Sequence, residues 1–152
     1  MKTFEYKRAN LNRKAQGNVH KEKYLNKIHL LTDCTVDQEQ LLTLEETDGI
    51  IESLKKKKND LKNTLQTNDY QQIISFIEEK TGDLIFHLLI DEDWKFCGAY
   101  RTNKILLDNY NFNILKSDEI RIISHDLSSQ IRIVYDYNDI KLVFTVFRLI
   151  PY

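Results

Sequence analysis

The chain has 152 residues, 41% of them hydrophobic, and its 22 Lys and Arg against 23 Asp and Glu leave a net charge of -1. That length supplies one domain, residues 1–152, with a single core burying about two thirds of the unfolded surface, and one Trp, eight Tyr and seven Phe argue against global disorder. The longest apolar runs, such as Leu88 to Ile90, fall far short of the ~18 residues of a membrane span, the Lys- and Arg-rich N-terminus lacks the apolar stretch of a secretory signal, and Cys34 and Cys97 have no companion ligands at metal spacing, so free thiols in a reducing, cytoplasmic compartment are expected.

The first thirty residues are polar until Tyr24, Leu25, Ile28 and Leu31, whose spacing predicts an amphipathic helix over 19–31, preceded by a loose basic tip over 1–18. Residues 32–46 read two ways: Thr35 and Gln38 form a capping-box pattern, whereas Leu41, Leu42 and Leu44 suit an extended segment. From Asp48, the positions of Ile50, Ile51, Leu54, Leu61 and Leu65 predict an exposed helix with one apolar stripe and a lysine run, Lys55 to Lys58, on its wet face. Asp69 caps a further expected helix through Ile73, Ile74, Phe76 and Ile77, which Thr81 and Gly82 end.

After Gly82 the pattern changes. Leu84 to Ile90 is apolar on both faces and predicts a strand in the middle of its sheet. Trp94, Phe96, Gly98 and Tyr100 read as the next strand across a turn at Asp91 to Asp93, with Gly98 marking a bulge or a close backbone approach. Thr102 caps an expected short helix carrying Ile105, Leu106 and Leu107. Strands follow around 120–123, 131–135 and 140–149, joined by the turn-rich segments 124–129 and 136–139, and such short connections force antiparallel neighbours. The expected fold is α+β: N-terminal helices on one face of an antiparallel sheet of about five strands, with one short inserted helix. A single proline and four glycines give no linker, and no repeat is visible.

The near-zero total charge hides an uneven layout. Residues 1–30 carry eight basic side chains against Glu5 and Glu22, a local +6, while 31–100 hold fifteen acids against seven bases, a local -8. Glu78, Glu79, Asp83, Asp91, Glu92 and Asp93 flank the strand 84–90 and suggest an acidic rim that docks a basic protein, with Trp94, Phe96 and Tyr100 as anchoring area. The competing reading is a pair of solvated faces. The arm, with Arg8, Arg13 and Lys14 among Tyr6, Asn10, Asn12, Gln16 and Asn18, suits nucleic-acid phosphates.

Catalytic patterns are sparse. Asp83 followed by Asp93-Trp94-Lys95 has the spacing of PD-(D/E)xK nucleases, in which two carboxylates hold Mg²⁺ and the lysine orients the attacking water; the proline of that motif is absent. His20, His29, His87 and His125 make no zinc spacing, and His87 reads as a core or edge side chain with one hydrogen bond satisfied. Cys97 lies in an apolar setting that raises a thiol's pKa and leaves it inert. No phosphate-cradling loop, dinucleotide fingerprint or hydrolase elbow occurs, so no catalytic residue, cofactor or metal is assigned.

The run Asp93-Trp94-Lys95-Phe96-Cys97-Gly98-Ala99-Tyr100, the segment with Ile105, Leu106 and Leu107, then Ser124-His125-Asp126-Leu127-Ser128-Ser129 and Ile131-Arg132-Ile133-Val134-Tyr135 resemble the YxiF-like immunity proteins encoded beside polymorphic toxins of Gram-positive bacteria. The resemblance covers roughly the last 60 residues. It implies a stoichiometric, non-enzymatic inhibitor that binds a partner toxin and blocks it in the cytoplasm. The acidic cluster read from the residues then suits a cognate, basic toxin whose active site is occluded, with Glu78, Glu79, Asp83, Asp91, Glu92, Asp93, Trp94 and Tyr100 as contacts. The alternatives are a small Mg²⁺-dependent nuclease using Asp83, Asp93 and Lys95, and a nucleic-acid-binding phage or regulatory protein using residues 1–18.

Overall fold

The computed structural model describes residues 3–67, 71–72, 75 and 85–152. In chain order these form α1 (Phe4–Thr32), a single 3-10 turn (Gln38–Gln40), α2 (Leu44–Lys55), β1 (Lys57–Thr67), β2 (Phe86–Ile90), α3 (Trp94–Cys97), β3 (Tyr100–Thr102), α4 (Phe112–Leu115), β4 (Glu119–Ser124), β5 (Ser129–Asp136) and β6 (Lys141–Pro151). Of the helix expected behind Asp69, only Gln71, Gln72 and Ser75 are described, and they are helical; Glu78, Glu79, Thr81, Gly82 and Asp83 lie outside the described residues.

The fold is α+β. Among the described residues its sheet has six strands rather than about five, in the order β1-β6-β5-β4-β2-β3, and each of these pairings is antiparallel. β2 lies inside the sheet between β4 and β3, and all five of its residues are buried, as its two apolar faces predict. The additional strand is β1. Its composition, Lys57 to Thr67 rich in Lys, Asn and Thr, reads poorly as a strand, yet it runs along the whole length of β6 with a one-residue bulge between Leu61 and Asn63. β1 is an edge strand, where charged and polar residues deter further pairing. The helical stripe expected to continue from α2 through Leu65 therefore ends at Lys55.

The helices do not share one face. Successive side chains of a strand alternate between faces: Phe86, Leu88 and Ile90 join Ile120, Ile122, Ile131, Ile133 and Phe144 beneath Tyr24, Ile28 and Leu31 of α1, whereas Leu89 and Ile123 face the other way, towards Leu42, Ile50, Ile51 and Leu54 around α2. Each fully buried Ile or Leu of this core contributes about 1.5–3 kcal/mol.

α1 begins at Phe4, with Thr3 capping it through the Tyr6 amide, so residues 4–18 are helical rather than a loose tip. The face it buries there is polar. Asn10 and Gly17 are buried, and Arg13 donates to the Lys95 carbonyl at 2.8 Å and pairs with Asp48 at 2.8 Å, where the Tyr6 hydroxyl also lands. A Cβ at Gly17 would sit 2.5 Å from the Phe96 carbonyl, so glycine lets the helix lie against α3. In the segment left open by the sequence, Thr43 and Glu46 form a complete capping box that starts α2.

Two expected elements change type. Trp94 to Cys97 is a single helical turn, α3, not a strand; it ends at Gly98, whose φ of +95° favours glycine and whose Cβ would lie 2.1 Å from the Leu42 carbonyl. The close backbone approach expected there is present. Residues 104–107 have no regular secondary structure, and the short helix comes later, at Phe112–Leu115 under an Asn111 cap.

Candidate functional site

The turn after β2 gathers most of the described residues expected at the acidic rim. Asp91 and Asp93 are turned inward on to Lys27 of α1, whose ammonium is only 2% exposed and meets Asp91 Oδ2 at 2.6 Å and Asp93 Oδ2 at 2.9 Å. The second oxygen of Asp91 accepts from the Ser117 hydroxyl at 3.1 Å and from the amides of Asp118 and Glu119 at 2.8 and 3.0 Å. Asp93 Oδ1 lies 3.5 Å from both Lys23 Nζ and His20 Nδ1, and the His20 ring stacks on Phe96. Burial alone would lower the Lys27 pKa, but its hydrogen bonds to Asp91 and Asp93 and their charges outweigh it and hold the pKa above the usual lysine value. Burial pushes the Asp91 carboxyl up, while the Glu119 amide, Lys27 and the Asp118 contacts outweigh it and hold it below the usual range. The displaced proton affinity appears on Asp118, raised to about 6 chiefly by its hydrogen bond to Asp91.

This closed cluster corrects the sequence reading at several positions. Asp91 and Asp93 are satisfied inside the fold and do not present their carboxylates to a partner. Tyr100 is buried, its hydroxyl accepting from the Asp37 amide at 3.1 Å, and Trp94 is half-buried against both apolar clusters. Of the three described rim acids, Asp91, Glu92 and Asp93, only Glu92 points outward, paired with Lys95. Asp93 and Lys95 therefore diverge from a helical turn, one towards Lys27 and one to the surface, so they do not share the strand face that the nuclease arrangement needs. Among the described residues no group of three or more His, Cys, Asp or Glu is placed to hold a metal ion. Burial raises the Cys97 thiol pKa, as its apolar setting implies; Cys97 is half-buried and Cys34 exposed, both free.

A second constellation was missed by sequence reasoning. On the face of the sheet covered by α2, His87 of β2 stands directly opposite Arg101 of β3, and His125, in the turn after β4, brings its ring centroid within 5.4 Å of the His87 ring. His87 is 3% exposed, and its Nδ1 has no partner among the described residues; Arg101 Nε is buried and likewise unpartnered. Each such atom costs about 1–3 kcal/mol. Burial, then the charges of Arg101 and His125, depress the His87 pKa to about 4, so the imidazole is neutral at pH 7. These groups line a cavity of about 340 Å³ with Leu42, Glu46, Ile50 and Leu127. The available signal was a lone histidine in an apolar strand; its arginine neighbour is set by strand register.

No helix of the described residues is long and apolar enough to cross a membrane. The chain matches no protein-family model, no curated protein sequence and no solved structure.

Proposed function

We propose that the chain is a non-enzymatic immunity protein, an inhibitor that binds a cognate toxin and neutralises it by occlusion. The observation that carries the reading is the outer face of α1. Phe4, Leu11 and Val19 recur about every two helical turns and are 75%, 66% and 81% exposed, on the side opposite the polar stripe that docks the helix. Large apolar side chains held outward along one rigid helix favour an interaction surface. Arg13 and Tyr6 brace that helix against Asp48, so little ordering cost attends binding. The resemblance of the C-terminal part to immunity proteins agrees with this role.

The contact surface is thereby moved from the acidic rim to α1. Lys7, Arg8 and Lys14 are exposed on the same helix, so the matching patch on the toxin is apolar with carboxylates around it rather than strongly basic. The test is co-expression with the product of the gene adjacent to that of this chain, first assayed alone for toxicity, and is scored by survival and by co-elution. The double variant Leu11→Glu, Val19→Glu keeps its circular dichroism spectrum but binds at least about 30-fold more weakly and loses protection. A folded double variant that still protects overturns the proposal.

A further inference from the structure

The cavity beneath α2 has features that the toxin-binding role does not use. Three side chains with hydrogen-bonding nitrogen atoms converge on it from three elements: His87 from β2, Arg101 from β3 and His125 from the turn after β4. Two of their nitrogens, His87 Nδ1 and Arg101 Nε, are buried without a partner among the described residues. Native interiors rarely leave such atoms unpaired, and their convergence on one cavity is the mark of groups kept for a ligand. We propose that this cavity binds a small monocarboxylate with an apolar body, its carboxylate against Arg101 and His87.

The lining selects that class. A guanidinium offers two parallel N–H groups that match the two oxygens of a carboxylate, and it keeps its charge at all relevant pH values. His87, buried and uncharged, supplies hydrogen bonding without adding charge. Glu46, on the same wall at the start of α2, has its carboxylate engaged by the Thr43 amide, which leaves Arg101 as the fixed cation of the lining; it matches one negative charge, whereas a dianion such as phosphate brings a second that nothing in the lining offsets. Leu42, Ile50 and Leu127 provide apolar surface for the body of the ligand, and a cavity of about 340 Å³ is at the small end of the range for organic ligands. Gly49 sits on the α2 wall, and a Cβ built there meets nothing within 4 Å.

The probe is benzoate, added to the full chain while the His87 and His125 ring resonances are followed by NMR, with inorganic phosphate and benzyl alcohol as parallel titrants. Benzoate is expected to shift both rings saturably with Kd on the order of 1 mM, a typical fragment affinity. Arg101→Gln weakens it at least about tenfold, the loss expected of a charge-assisted pair. Phosphate and benzyl alcohol bind more weakly than benzoate. The proposal is overturned if benzoate gives no saturable shift, if folded Arg101→Gln binds it as well as the parent, or if phosphate binds more tightly. None of these outcomes depends on the toxin assay.

Discussion

Lys27 with Asp91 and Asp93 on one face of the sheet, and His87 with Arg101 on the other, are both buried polar groups, but they differ in closure. In the first, the lysine meets two carboxylates and the spare oxygen of Asp91 is taken up by Ser117 and two backbone amides. In the second, a ring nitrogen and a guanidinium nitrogen are left over beside a cavity. A closed cluster locks the long N-terminal helix to the turn after β2 and has no spare bonding capacity; an open one keeps that capacity for something else. Burial of charge is therefore not in itself a sign of function, whereas incomplete pairing is the more informative observation.

That contrast can be broken first at Lys27. Lys27→Met leaves two buried carboxylates without their cation and is expected to cost about 3–5 kcal/mol, read from the urea midpoint. A loss below 1 kcal/mol means that the two carboxylates find other partners and the cluster is not closed around this lysine.

The open region sharpens it through pH. A buried base whose pKa is depressed, from about 6.5 to about 4, binds fewer protons folded than unfolded, so its stabilising effect is complete above pH 6.5 and lost as pH falls towards 4. The parent is expected to lose up to about 3 kcal/mol across that window from this residue. His87→Leu removes that portion of the pH dependence and costs less than about 1 kcal/mol at pH 7, because an unpaired nitrogen is replaced by an apolar group. Asp118 works in the opposite sense: an acid with its pKa raised to about 6 stabilises at low pH and loses that contribution as pH rises, so the comparison is best made as the difference between parent and variant.

The smallest effect concerns glycines. A Cβ at Gly17, against α3, would lie 2.5 Å from the Phe96 carbonyl oxygen, but one at Gly49 in α2 meets nothing within 4 Å. Gly49→Ala is expected to raise stability by about 1 kcal/mol through helix propensity alone, measured by thermal or urea unfolding.

Much of the sheet was legible because β2, β4, β5 and β6 alternate or run apolar in the way that burial demands. β1 was not, because an edge strand needs few apolar residues and its partner β6 is remote in sequence. The N-terminal half of α1 escaped because its docked stripe of Asn10, Arg13 and Gly17 lacks the hydrophobic period on which helix detection rests. Trp94 to Tyr100 mimicked strand alternation, and only the fold reveals that Gly98 is stopping a helical turn. At the candidate sites, the acids near residue 91 were visible as a cluster, but their counter-ion is on another element, and His87 gained meaning only once strand register placed Arg101 opposite it.

The pairing of β1 with β6 carries a consequence for biosynthesis. Thr67 leaves the ribosome well before Leu142, its ladder partner. Until then β1 has no ladder partner and the sheet is missing one margin, so the pairing of β1 with β6 is a long-range closure of the kind that slows folding. Lysines and asparagines on β1 then serve the nascent chain as well as the finished one, by keeping a waiting strand from sticking to its neighbours on a crowded polysome.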